Sequence, residues 1–377
     1  MDTSLLTSSA FWNDPKPCAA GTFPGIVPDL PELAGHVLFE SSGSFGRPKW
    51  IALSKVALRV SAAAVNRHLD VTESSCWGLA LPPHHVGGFG VAARALEAGC
   101  AFHEFRHRWD AAVFGEWLAQ NLVTHSSLVP TQVHDLVAAS VTAPSALRAI
   151  VVGGGHLDAG TGQAARDLGW PVLASYGMTE AGSQIATQGF SMLETAYQSA
   201  PIPLLPLWRA EICPDQTLRL AGPALFSGTL VRENEAWVFN PRFSEWHQTQ
   251  DRVALANDSL TPLGRADHLV KVLGEIVDPE SIERELAALS NHQLPPGSFA
   301  VVAIPDARAQ HALIPVFDAS LDPDLIAALL TTYARQAPGF RKLQPAVRLE
   351  AFPRSPLEKP RRAEILAAIR SSKQPGI

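Results

Sequence analysis

Between residues 76 and 175 the sequence repeats one pattern: a short strand-length run, a turn, then a stretch with helical spacing. The strand candidates lie at 76–81, 102–105, 126–129, 149–152 and 172–175, and the helical stretches at 91–98, 111–121, 131–139 and 159–168. Runs this short are strand-length. Strands separated by helices pair as parallel neighbours, because the helix carries the chain back to its starting edge. The pattern therefore predicts an α/β domain with a doubly wound, mostly parallel sheet. In such sheets ligands sit beyond the carboxyl ends of the strands, so chemistry is expected just after each run.

Four such places carry unusual residues. After Val37, Leu38 and Phe39 come Ser41, Ser42, Gly43, Ser44, Phe45, Gly46 and Lys49. Glycines let backbone N–H groups face an anion, serines add hydroxyl donors and the lysine adds charge, which outlines a phosphate cradle. No helix-opening Gly-Lys-Ser/Thr closes it as in the Walker loop, and a polar surface turn is an equal reading of this stretch alone. After 76–81 come His84, His85, Gly87, Gly88 and Gly90, read as a second glycine turn, and after 149–152 come Gly153, Gly154 and Gly155. After 172–175 come Tyr176, Gly177, Met178, Thr179 and Glu180. Their aromatic face, hydroxyl and carboxylate suit a base, a phosphate and Mg²⁺; a helix cap built on Thr179 or Glu180 is the competing reading. Further along, Asp251 and Arg265 fit the hydroxyls of a ribose or a surface ion pair. Lys359 lies in a basic, proline-bounded stretch that is either a solvated tail or a mobile loop able to neutralise an anion.

From about residue 201 the texture changes to short strands at 208–213, 217–220, 228–232 and 236–239, read as a small antiparallel β subdomain over 201–264. Beyond it, strands at 269–272, 299–304, 313–317 and 346–349 and helices at 279–289 and 322–336 make a small α+β domain. The expected division is a large N-terminal domain, 1–264, and a small C-terminal domain, 265–377. A start helix is expected near 8–13, and a helix over 53–69.

A net charge of −6 leaves no basic footprint for nucleic acid. No apolar run reaches the length of a membrane span, and the first residues lack the pattern of a secretory leader. The four cysteines lie far apart with no Cys-x-x-Cys pair, which fits a reducing cytoplasm and argues against a zinc site.

Taken in order, the singled-out stretches resemble the signature of the adenylate-forming superfamily: acyl- and aryl-CoA synthetases, peptide-synthetase adenylation domains and luciferases. Residues 41–49 resemble its T-S-G-T-T-G-x-P-K phosphate loop, 83–88 its H-x-x-G segment and 153–157 its G-G-A-P-L turn; 176–180 read Y-G-M-T-E. Residues 249–251 resemble T-G-D, 264–279 resemble G-R-x-D-x-x-x-K-x-x-G-x-x-V-x-P, and 353–362 resemble the closing P-R-T-x-x-G-K-x-x-R. Phe45 stands where the pattern has a hydroxyl residue, and Gln250, Leu273 and Glu358 where it has a glycine. Within the superfamily, residues 126–132 (S-S-L-V-P-T-Q) and 176–187 resemble the o-succinylbenzoate–CoA ligases of menaquinone synthesis.

The resemblance implies a two-step ligase that takes ATP, Mg²⁺, a carboxylic acid and CoA. The acid attacks the α-phosphate of ATP; the small domain then rotates and CoA displaces AMP. By position, Ser41, Ser42, Gly43, Ser44, Gly46 and Lys49 would face the β- and γ-phosphates. Gly154, Gly155, Tyr176 and Gly177 would take the adenine, with Tyr176 stacking on it. Thr179 would touch the α-phosphate and Glu180 would hold Mg²⁺. Asp251 and Arg265 would hold the ribose, with Lys271 also on the nucleotide. Asp267 would be the hinge and Lys359 the adenylation lysine. His85 would gate an acyl pocket lined by Ser183 and Gln184.

Overall fold

In the computed structural model, which describes residues 3–41, 49–234, 236–291, 293–306 and 308–372, the chain forms two units. The first takes in the chain to Thr249 together with Ala254–Thr261, and the second takes in Gln250–Val253 and the chain from Pro262. No helix among the described residues is long and apolar enough to cross a membrane.

The first unit contains the sheet that the alternation predicts. Its strands run in the order Ala101–Glu104, Cys76–Leu79, His125–Leu128, Ala149–Val152 and Val172–Met178, and every neighbour pair is parallel. The chain order reverses between Cys76–Leu79 and His125–Leu128, which opens a crevice at their carboxyl ends. A sixth strand, Ser183–Thr187, was not expected. It returns antiparallel to Val172–Met178, with the register shifting between Tyr176 and Gly177. Its polar residues hide it: Gln184 and Thr187 are buried and bonded to each other, so no apolar alternation marks the strand. Aromatic packing holds one face of the sheet, where Phe114 and Trp170 lie at 1% exposure or less with rings 6.4 Å apart. On a second cluster, Phe39 meets the edge of Phe89 at 5.2 Å.

Four expectations are corrected by the structure. The helix expected over 53–69 starts at Lys55; before it lies a strand, Lys49–Ser54, and Ser54 caps the helix by accepting the Ala57 N–H at 3.0 Å. Residues 50–53 of that strand are all buried, and a short fully buried run carries no alternation to separate strand from helix. The strand His36–Ser41 pairs antiparallel with Lys49–Ser54 and belongs to a separate five-stranded sheet, so Ser41 ends a strand outside the parallel sheet. The second glycine turn is in fact helix: Val86–Ala98 begins straight after His85. A Cβ on Gly88 would overlap the Pro82 carbonyl, so glycine there allows close helix-to-loop packing. The strands beyond residue 201 also divide between sheets. Gly228–Glu233 and Ala236–Pro241 extend the hairpin sheet through Lys49–Ser54, whereas Arg209–Ile212 and Thr217–Ala221 join His247–Ala256 and Ser259–Arg265.

At the start of the central strand His125–Leu128, His125 is fully buried, with Nε2 donating to the Leu69 carbonyl at 3.2 Å. Burial pushes its pKa from 6.5 down to about 4. Between those values the unfolded chain binds a proton that the folded chain does not. This contribution is therefore complete above pH 6.5 and is lost as the pH falls toward 4, a change of about 3 kcal/mol. Urea titrations at the two ends of that window should show the drop, and His125→Asn should flatten it.

The second unit packs the helices Pro279–Leu289, Pro323–Gln336 and Arg362–Ser372 with a sheet in the order Phe299–Asp306, Gln310–Asp318, Val347–Leu349. Asp278 caps the first helix, and Pro279 sits at its opening turn, where a missing N–H costs nothing. The unexpected last helix buries Ile365 and Ile369, one turn apart, against Val302, Val316 and Phe352.

Candidate active site

In the first unit the hairpin brings Ser41 opposite Lys49 across the phosphate-loop stretch. Ser42, Gly43, Ser44 and Gly46, expected on the phosphates, lie outside the described residues. Lys49 Nζ donates to Glu180 Oε1 at 3.4 Å, so the loop lysine and the carboxylate expected on Mg²⁺ meet across 131 residues of sequence. Tyr176 and Gly177 lie within the strand Val172–Met178, and Thr179 and Glu180 open a 3₁₀ turn after it. A Cβ on Gly177 would overlap the Ser183 carbonyl, so only glycine fits the bulged pairing beside Tyr176.

The glycine segment runs between two of its neighbours. A Cβ on Gly153 would come within 2.9 Å of Ser175 Oγ, and one on Gly155 within 3.4 Å of the Pro130 ring. Gly154 adopts φ +80°, open to glycine without strain. The ends of three parallel strands thus converge on this turn. At the crevice, Gln132 Oε1 accepts the Val129 N–H at 3.0 Å and its Nε2 donates to the Ala80 carbonyl at 3.3 Å, tying the two strands that flank the reversal. His85 ends the adjoining loop as the cap of Val86–Ala98, its ring 4.4 Å from that of His84.

Arg94 was not singled out from the sequence. It is 1% exposed, on the helix that begins after His85. Its guanidinium donates to Ser127 and Ser183 Oγ, each at 3.3 Å, and stands over Trp77 at 5.2 Å. Nε has no hydrogen-bond partner among the described residues. No carboxylate pairs with it there, and burial drives its pKa down to about 9, which still leaves it cationic at neutral pH. Ser183 reaches it from a strained backbone, φ +110°. Of the two residues expected in the acyl pocket, Ser183 joins Arg94, while the Gln184 side chain accepts from Thr187 and its carbonyl accepts Trp208 Nε1 at 3.1 Å. The signal for Arg94 was available: it is the one charge between Val86 and Leu96, amid glycine, alanine and apolar residues.

In the second unit Arg265 meets both Asp251, its expected partner on the ribose, and Asp267, the expected hinge. Nη1 donates to Asp251 at 3.1 Å, while Nε and Nη2 grip both oxygens of Asp267 at 2.9 and 2.8 Å. Lys271 is exposed on the hairpin formed by Val270–Val272 and Glu275–Val277. Lys359 is exposed by area, but its ammonium lies close enough to protein for lost hydration to lower its pKa. The charges of Asp251 and Glu280 oppose that shift, and Arg265 adds to it. Two departures from the glycine pattern keep glycine geometry: Leu273 has φ +55° and Glu358 φ +56°. The backbone beside Lys359 thus takes the turn that the pattern's glycine would supply.

A family model described as AMP-binding enzyme matches residues 36–224, half of the chain, and the chain belongs to that family. Among curated relatives, the 2-succinylbenzoate–CoA ligase of Enterococcus faecalis is 27% identical over 301 residues, covering 76% of this chain and 59% of the relative. That of Escherichia coli is 30% identical over 250 residues, covering 66% and 51%. The chain thus spans little more than half the length of these relatives. Among solved structures, an o-succinylbenzoate coenzyme A synthetase from Bacillus subtilis in complex with ATP and magnesium ion superposes with a TM-score of 0.73 at 22% identity, covering 88% of this chain and 69% of that one. An E. coli homologue with bound OSB-AMS gives 0.72 at 23%, covering 93% and 72%. These likenesses define the fold.

Proposed function

We propose that the chain activates 2-succinylbenzoate with ATP and Mg²⁺ and transfers the acyl group to CoA. The curated relatives named above support the reaction. The observation that carries the choice of acid is Arg94, a buried cation with an unpaired N–H among the described residues. 2-Succinylbenzoate has two carboxylates. One reacts; the other stays ionised and needs a cationic partner once it leaves water. A planar guanidinium steadied by Ser127 and Ser183 suits that role.

In the first step a carboxylate oxygen of the acid attacks the α-phosphorus. A P–O bond forms to that oxygen, the bond to the bridging oxygen breaks, and pyrophosphate leaves. Lys49 meets the charge of the β- and γ-phosphates, and Lys359 offsets the charge that builds at the reacting phosphoryl group. Asp251, held by Arg265, accepts the ribose hydroxyls. In the second step the CoA sulfur attacks the acyl carbon, the thiol proton passes to solvent and AMP leaves. Glu180, facing Lys49 at the end of the parallel sheet, offers one hard oxygen donor that fits Mg²⁺. Mg²⁺ keeps most of its waters and favours phosphate oxygens beside one carboxylate. Bound there with Glu180, it would neutralise phosphate charge.

Pyrophosphate release on a panel of acids tests the reading. Release with 2-succinylbenzoate that far exceeds release with benzoate or fatty acids supports it. The reverse order would assign the site to another acid, and ATP binding with no turnover on any acid would remove the activity.

A further inference from the structure

The second unit holds a charge network that the proposed chemistry does not use. Glu280 and Glu283 lie three residues apart on the helix Pro279–Leu289 and face the same way. Arg362 grips both oxygens of Glu283 at 2.7 and 2.8 Å and donates to the Val301 carbonyl at 2.9 Å. The same guanidinium reaches Glu280 Oε1 at 3.5 Å. That oxygen also accepts from His268 Nδ1 at 2.8 Å. His268 follows Asp267 directly, and Arg362 stands three residues beyond Lys359.

We propose that Glu280 is a positioning residue for acyl-adenylate formation: it ties His268, beside the hinge residue Asp267, to Arg362, at the foot of the Lys359 loop, so that hinge and lysine are set as one piece. This rests on the reading of Asp267 as hinge and Lys359 as the adenylation lysine. Three features support it. The loop has its own inner clasp, with Ser355 N–H donating to the Lys359 carbonyl at 2.8 Å and Ser355 Oγ accepting the Lys359 N–H at 3.2 Å. A loop closed on itself needs only an anchor at its foot to fix where the lysine points. Glu283 and Arg362 supply that anchor, and Glu280 connects the anchor to the hinge. The carboxyl of Glu280 is also ionised throughout the working range. Burial raises its pKa, but the His268 bond and the charges of Arg362, His268 and Arg284 outweigh this and bring it to about 2. Its negative charge acts on Lys359 as well, opposing the loss of the ammonium proton.

The test separates the two half-reactions of the full chain. Glu280→Gln keeps an acceptor for His268 but removes the charge that draws Arg362 and Lys359. We expect it to slow acid-dependent pyrophosphate release about 10-fold, the low end of what removing the outer partner of a functional group costs. The KM for ATP and thioester formation from supplied acyl-adenylate should stay within about twofold. His268→Gln cuts the same tie from the hinge side, and should give the same split if Glu280→Gln does not fold. Equal loss in both halves would mean a merely structural role, and no loss in either would mean no role; each overturns the proposal. Lys359→Ala is run alongside. If it spares adenylation, the reading of Lys359 has failed and the proposal falls with it; a slow Lys359→Ala beside an unaffected Glu280→Gln overturns the tie alone.

Discussion

Lys359→Ala is expected to slow acyl-adenylate formation about 10²–10³-fold, the usual cost of removing one group aimed at developing charge. CoA transfer from supplied acyl-adenylate should change by less than about threefold, since no phosphoryl charge builds in that half. The expected loss comes from the charge. Lys359 sits where partial desolvation lowers its pKa, and Asp251 and Glu280 hold the ammonium form against that shift. Lys359→Arg keeps the charge but changes its shape, so it should recover only part of the rate. Rapid-quench measurement of pyrophosphate in the first turnover checks this without interference from product release.

Arg94→Met should split stability from activity. A buried guanidinium whose Nε has no partner among the described residues burdens the fold, and an apolar side chain of similar length removes the burden. Stability in urea is therefore expected to hold or to rise by about 1 kcal/mol. Meanwhile kcat/KM for 2-succinylbenzoate should fall about 100-fold, because the unreacted carboxylate enters a pocket without its cation. Any residual turnover of benzoate, which has no second carboxylate, should be unchanged. A parallel loss with both acids would place Arg94 in the scaffold rather than in acid recognition.

The parts of the molecule that were legible are those in which local pattern and tertiary structure agree. The parallel strands follow from the alternation of short runs with helical stretches, because each run is strand-length and separated from the next by a helix. Lys49 and Glu180 could each be singled out, but their meeting at 3.4 Å joins a hairpin to the end of the parallel sheet, and no local signal carries that. The strand Lys49–Ser54 was hidden because burial on both faces erases its period. Arg94 was passed over because a lone charge in a helix usually faces solvent, whereas this helix packs against the first unit's core. Leu273 and Glu358 break the glycine pattern yet keep φ near +55°, at roughly 1 kcal/mol each. That cost is visible only once the backbone is known. The network around Glu280 joins residues 268, 280 and 362, and its meaning depends on the fold of the second unit.

The most direct test of the central claim follows one oxygen atom. 2-Succinylbenzoate labelled with ¹⁸O in its carboxylates is turned over with ATP, Mg²⁺ and CoA, and the AMP is examined by mass spectrometry. Carboxylate attack on the α-phosphorus predicts AMP carrying one ¹⁸O, formed one-for-one with the thioester. Unlabelled AMP, or labelled AMP with no thioester, would contradict the account.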